Sequence, residues 1–125
     1  MWLARAFAIS KETNMIKTVI TQFSITGFHG YPDAPEKVKF LRHNHRHDFK
    51  IKCGYKVTDS NREKEIFICR DEVIDYLHEA YGSPCQFSDM SCEMIAEEIM
   101  DFGKEDKMIW CEVWEEETGG ARVEV

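Results

Sequence analysis

Residues 40–58 read FLRHNHRHDFKIKCGYKVT, the cleanest strand pattern in the chain, and from residue 45 onward the stretch alternates. Odd positions carry His45, His47, Phe49, Ile51, Cys53 and Tyr55; even positions carry Arg46, Asp48, Lys50, Lys52, Gly54 and Lys56. A side-chain period of two belongs to a β-strand with one buried and one solvated face. Toward the N-terminus, residues 30–36 (GYPDAPE) contain two prolines and form a loop. Before it, residues 16–28 (IKTVITQFSITGF) are rich in β-branched and aromatic residues and form a strand. Val19, Phe23 and Ile25 share its apolar face, and His29 has the same parity just past its end.

Toward the C-terminus, residues 59–62 (DSNR) make a turn and residues 64–70 (KEIFICR) read as a third strand. Asp71 is a suitable N-cap for a helix striped by Val73, Ile74, Leu77 and Tyr81. Residues 82–89 (GSPCQFSD) interrupt it. Ser91 then caps a second helix, striped by Met94, Ile95, Ile99 and Phe102 and stopped by Gly103. Residues 107–116 form a strand with Ile109, Cys111, Val113 and Glu115 on one face. Gly119-Gly120 turns into a last strand, residues 121–125. The expected fold is α+β with order βββααββ, an antiparallel sheet backed by two helices on one face.

Composition narrows the function. The 125 residues suit one domain, residues 15–125, preceded by an extension over residues 1–14. With 16 Lys+Arg against 23 Asp+Glu the net charge is −7, which argues against a general nucleic-acid or anionic-membrane binder. Lys50, Lys52 and Lys56 form a basic strand face that reads as a solvated outer surface. No apolar stretch reaches the length of a membrane span. The five cysteines, with no C-x-x-C among them, read as reduced thiols in a cytoplasmic protein. Cys53 and Cys111 have core parity, and no cysteine sits in a Gly-flanked elbow or beside a histidine.

His45 and His47 lie two apart on one strand, so both imidazoles project from the same side. His29 ends the apolar face of the preceding strand. Three imidazoles with an open fourth position is the pattern of a catalytic zinc site. His43 shares the parity too, so alternation alone does not choose among His43, His45 and His47. Glu115 is the second anomaly: a carboxylate that follows three apolar residues of its own parity at the inner end of a strand. A buried carboxylate needs a partner, and in a cleft it grips donor-rich ligands.

The run FSITGFHGYPDAPEKVKFLRHNHRHDFKI (residues 23–51) resembles the metal-binding region of the 6-pyruvoyl-tetrahydropterin synthase and 6-carboxy-tetrahydropterin synthase (QueD) family. His29 with Pro32 resembles the family's F-x-A-x-H-x-x-P segment. His45-Arg46-His47-Asp48-Phe49 resembles its H-G-H-x-[YF] strand. Ser91 to Ala96 is similar to its P-T-x-E-x-[IL]-A helix start, and Val113-Trp114-Glu115 to its V-x-V-x-E-T strand. The resemblance spans residues 16–125. It implies a tunnelling fold (T-fold) whose subunits assemble into a β-barrel and stack into a hexameric homo-oligomer. It further implies zinc on His29, His45 and His47, with His43 outside the set. A pterin would lie at a subunit interface, gripped by Glu115. The implied reaction is that of a lyase, removing triphosphate from 7,8-dihydroneopterin triphosphate with side-chain rearrangement.

Three departures bear on that activity. The family's catalytic cysteine lies four residues before the first His of H-G-H, where this chain has Leu41. The L-D-H-x-x-L-N segment expected between the helices is replaced by residues 82–90 (GSPCQFSDM), which contain no histidine. Arg46 stands for the central Gly and should point away from the site. The metal and ligand grip are thus retained while both proton-transfer elements are lost, leaving Asp89 or a zinc-held water as the remaining base. The alternative is an inactive T-fold protein with a binding, regulatory or structural role.

Overall fold

A computed structural model describes residues 15–125; the expected extension over residues 1–14 lies outside the described residues. Strand β1 (Lys17–His29) and strand β2 (His45–Val57) pair antiparallel over their full lengths, from Lys17 opposite Val57 to His29 opposite His45. That register puts the apolar residues of both strands on one face, where Phe23, Ile25, Phe49, Ile51, Cys53 and Tyr55 are buried. Helix α1 (Ile66–Tyr81) covers this face with Cys69, Val73 and Leu77. Helix α2 (Cys92–Gly103) adds Ile95, Ala96, Ile99 and Met100 to the same core.

Between the helices lies the two-residue strand β3 (Cys85–Gln86), parallel to β1. Strand β4 (Met108–Glu115) pairs with β2 and places Glu115 opposite Phe49; strand β5 (Gly119–Glu124) completes the sheet, in the order β3-β1-β2-β4-β5. A register shift at Gly54/Tyr55 lets the Trp110 ring lie where a Cβ on residue 54 would sit, so glycine is required there. The class is α+β, with both helices on one face of the sheet. Among the described residues no helix is long and apolar enough to cross a membrane.

Three expectations change. Residues 64–70 are not a third strand, because α1 begins at Ile66. Glu65, rather than Asp71, caps it, accepting the Ile68 N–H at 2.7 Å. Cys69, Val73 and Leu77 continue the helical period backward, while Ile66, Phe67 and Ile68 stay exposed. A short β-branched run bounded by charges has no period of its own strong enough to distinguish the two. The second change is that a 3₁₀ segment, Glu36–Arg42, occupies the start of the quoted stretch, and β2 begins only at His45. Thirdly, the interruption after α1 contains β3, so the sheet is mixed and the observed order is ββαβαββ. The Ser91 cap of α2 is as expected, its hydroxyl accepting the Met94 N–H at 3.2 Å.

All five cysteines are free thiols and all are buried. Burial pushes the Cys85 thiol up to about 11. Native protein should therefore react slowly with a disulfide thiol reagent at pH 8, and denatured protein should release the full complement of five. Rapid labelling of more than one thiol in the native state would contradict this packing.

Candidate metal centre

The β1–β2 register brings the histidines together. His29 and His45 are direct cross-strand neighbours, and His47 stands opposite Gly27 on the same face. Their ring centroids are 4.7 Å (His29–His45), 5.2 Å (His29–His47) and 4.9 Å (His45–His47) apart. The rings are close to mutually perpendicular, at 70°, 78° and 87°. Phe49 forms an apolar floor, edge-on to His29 at 5.1 Å, to His47 at 5.5 Å and to Phe87 at 5.3 Å. Gly27 is small because the Phe87 and Phe49 rings fill the space where its Cβ would lie.

Each imidazole is held through Nδ1. His29 Nδ1 lies 2.8 Å from the Met90 carbonyl, His45 Nδ1 2.8 Å from the His43 carbonyl, and His47 Nδ1 2.9 Å from Glu116 Oε2. Carbonyls and carboxylates only accept, so Nδ1 carries the proton and Nε2 presents a lone pair. All three Nε2 atoms are buried with no hydrogen-bond partner among the described residues. Glu115 Oε2 is 2.9 Å from His29 Nε2 and Oε1 3.7 Å from His47 Nε2, yet neither oxygen lies where a ring N–H would donate to it. One ligand atom from each of His29, His45, His47 and Glu115 falls within a 4.8 Å group.

Three buried lone pairs beside a carboxylate are costly unless a cation completes them. Nitrogen donors whose other ring nitrogen is tied to a carbonyl or carboxylate are the usual dress of metal-bound histidine. The residues present fit a divalent ion, and the imidazole and carboxylate donors suit zinc.

Glu116 escaped the sequence reading because its parity points it away from the site. A left-handed backbone (φ 51°) turns it back, so that one oxygen meets His47 and the other accepts the Asp48 N–H at 2.7 Å. That backbone hydrogen bond, then the one to His47, holds its carboxyl below the usual range. His43 is exposed and contributes its carbonyl alone to the centre. His78 is half-buried in α1, away from the cluster.

A cavity of about 620 Å³ opens beside the cluster, lined among others by His29, His45, Glu115, Leu41, Tyr31 and Cys92. Leu41, the position where the resembling family carries its cysteine, is thus on the wall, and so is Asp89. Cys92 was not singled out by the sequence, yet its thiol lies against Glu115. Burial first, then the Glu115 charge, pushes that thiol up to about 12.

Solved structures carry the same architecture. Caenorhabditis elegans 6-pyruvoyl tetrahydropterin synthase superposes with a TM-score of 0.63 at 10% identity, over 89% of this chain and 96% of that one. The folds match. The uncharacterized protein WS1659 from Wolinella succinogenes gives a TM-score of 0.59 at 12% identity, over 89% of this chain and 99% of that one. By sequence, no family model and no curated protein matches the chain. At these identities the likeness establishes the α+β fold of the synthase and leaves ligand and chemistry to the site itself.

Proposed function

We propose that this chain is a zinc-binding relative of the 6-pyruvoyl-tetrahydropterin synthases that binds a pterin or a similar fused aminopyrimidine. The observation that carries the reading is the set of three buried, unpartnered Nε2 atoms beside Glu115, at the edge of a cavity of ligand size. His29, His45 and His47 hold the ion. Zinc, when bound, supplies a Lewis acid that polarises an oxygen of the ligand's side chain. Glu115 belongs to both the metal cluster and the cavity wall, so its carboxylate accepts hydrogen bonds from ring N–H groups or completes the metal's ligands. Leu41 supplies apolar contact and no proton transfer.

The reading favours binding over turnover, since neither proton-transfer element of the resembling family is present. A divergent lyase is the second reading, supported by Asp89 on the cavity wall. The resemblance also carries assembly into a hexameric homo-oligomer in the cytoplasm, with the cavity at a subunit interface.

Metal analysis of purified protein should give zinc near one per subunit, and pterin fluorescence should quench on titration with that protein. Loss of zinc without loss of pterin binding would remove the metal from the ligand's site. Triphosphate release from 7,8-dihydroneopterin triphosphate decides between the readings: release above the uncatalysed rate would establish the lyase.

A further inference from the structure

Two thiols meet in the row of side chains that crosses the sheet at residue 53. Cys53 of β2 and Cys111 of β4 are register partners, and both are fully buried in the core under the helices. The end of the ladder identifies the type of pairing. The Glu116 N–H donates to the Asp48 carbonyl at 3.3 Å, one step beyond Phe49 opposite Glu115, so that pair is of the hydrogen-bonded type. Types alternate along an antiparallel ladder, and the register runs unshifted from Phe49 to Gly54. Cys53 lies five residues from Asp48, an odd step, which makes Cys53/Cys111 a non-hydrogen-bonded pair. In such pairs the Cα atoms are about 4.5 Å apart and the side chains approach most closely. A disulfide spans Cα separations of about 4.4–6.8 Å, so the existing sheet accepts one at this pair.

The two sulfurs already interact. A hydrogen bond with Cys53, then burial, pushes the Cys111 thiol well above its usual range. The other thiols have other surroundings: Cys85 donates to the Leu77 carbonyl at 3.8 Å, Cys92 lies against Glu115, and Cys69 sits on α1. All five cysteines belong to the described residues, so the comparison covers every thiol of the chain.

We propose that Cys53 and Cys111 are a modification site, which a low-molecular-weight disulfide such as oxidised glutathione converts to a reversible cross-strand disulfide clamping β2 to β4. One cysteine, as thiolate, attacks a glutathione sulfur; the glutathione S–S bond breaks and one glutathione thiolate leaves. The second cysteine thiolate attacks the protein sulfur of the mixed disulfide, forms the Cys53–Cys111 bond and expels the second glutathione. The two cysteine protons end on the two glutathione thiols, and the two electrons lost by the protein reduce the glutathione disulfide. Burial makes the reaction slow, since the attacking thiol ionises only during local opening of the ladder. A reducing glutathione pool keeps both residues as thiols. The bond joins the strand of His45 and His47 to the strand of Glu115, four residues along each from the Phe49/Glu115 pair. It therefore clamps the frame of the candidate centre without using any of its donors.

The test incubates full-length protein for hours with oxidised glutathione, in buffer and in urea below the unfolding midpoint, then unfolds it for thiol counting and peptide mapping. Free thiols should fall from five to three in at least one arm, the loss of a single pair. Mapping should join the peptides of Cys53 and Cys111, and dithiothreitol should restore all five thiols. The oxidised protein should melt about 5 °C or more above the reduced protein, because the crosslink restricts the unfolded chain. Cys69→Ser should leave the bond forming, and Cys111→Ser should abolish it. Five free thiols in both arms, a bond between any other pair, or glutathione retained on Cys53 or Cys111 overturns the proposal. An oxidised form no more stable than the reduced one overturns the clamp.

Discussion

Zinc affinity should fall by roughly a hundredfold or more in the His45→Ala variant, because losing even an outer hydrogen-bond partner of a metal ligand costs about 10–100-fold. His45 is half-buried at the first residue of β2, and its ring packs against other members of the cluster rather than the apolar core. The variant should therefore keep its fold, with unchanged far-ultraviolet circular dichroism, while competition against a chelating dye reports the lost affinity. Two neighbours grade the effect. Glu116→Gln keeps an acceptor near His47 Nδ1 but removes its charge, and should weaken zinc binding by about tenfold. His43→Ala should change little, since residue 43 serves the centre through its carbonyl alone. A His45→Ala protein that still binds one zinc with undiminished affinity would sink the proposed triad.

The second large effect is on stability. Phe49 is completely buried, and its ring meets His29, His47 and Phe87. Phe49→Ala should cost about 3–5 kcal/mol through lost burial and the cavity left behind. Against a typical total of about 5–15 kcal/mol this is a large share. For a domain of this size it corresponds to a drop in melting temperature of roughly 15 °C, read by scanning calorimetry. Because the same ring is the floor under two of the histidines, zinc affinity should weaken in any Phe49→Ala protein that remains folded. Phe49→Leu retains most of the apolar volume and should lose less on both counts. A melting temperature unchanged in Phe49→Ala would mean that this ring is not packed as described.

The alternation over residues 45–57 was enough to set one face of β2 inward, and with it the side of the sheet on which His45 and His47 lie. His29 followed from the same rule on β1. Parity therefore put His29, His45 and His47 on one face together with His43, the family resemblance set His43 aside, and the fourth clustered residue, Glu115, stood out as a carboxylate in an apolar series. These are local consequences of the pleat, independent of what the strands pack against.

Non-local contacts decided the rest. Residues 64–70 have β-branched content, yet burial of Cys69 with Val73 and Leu77 under one sheet face favours a helix there. Strand β3 is two residues long and exists because its backbone meets Gly27 and Phe28 of β1, a pairing no local pattern announces. Glu116 reaches His47 only because the turn after β4 adopts a left-handed residue. The direction of the three Nε2 atoms is set by acceptors at residues 43, 90 and 116, far apart along the chain. By itself the sequence determined which residue types share a face, since side-chain direction follows from strand periodicity. Tertiary structure alone decided which atoms of those residues point at one another, because this depends on packing between segments distant in sequence.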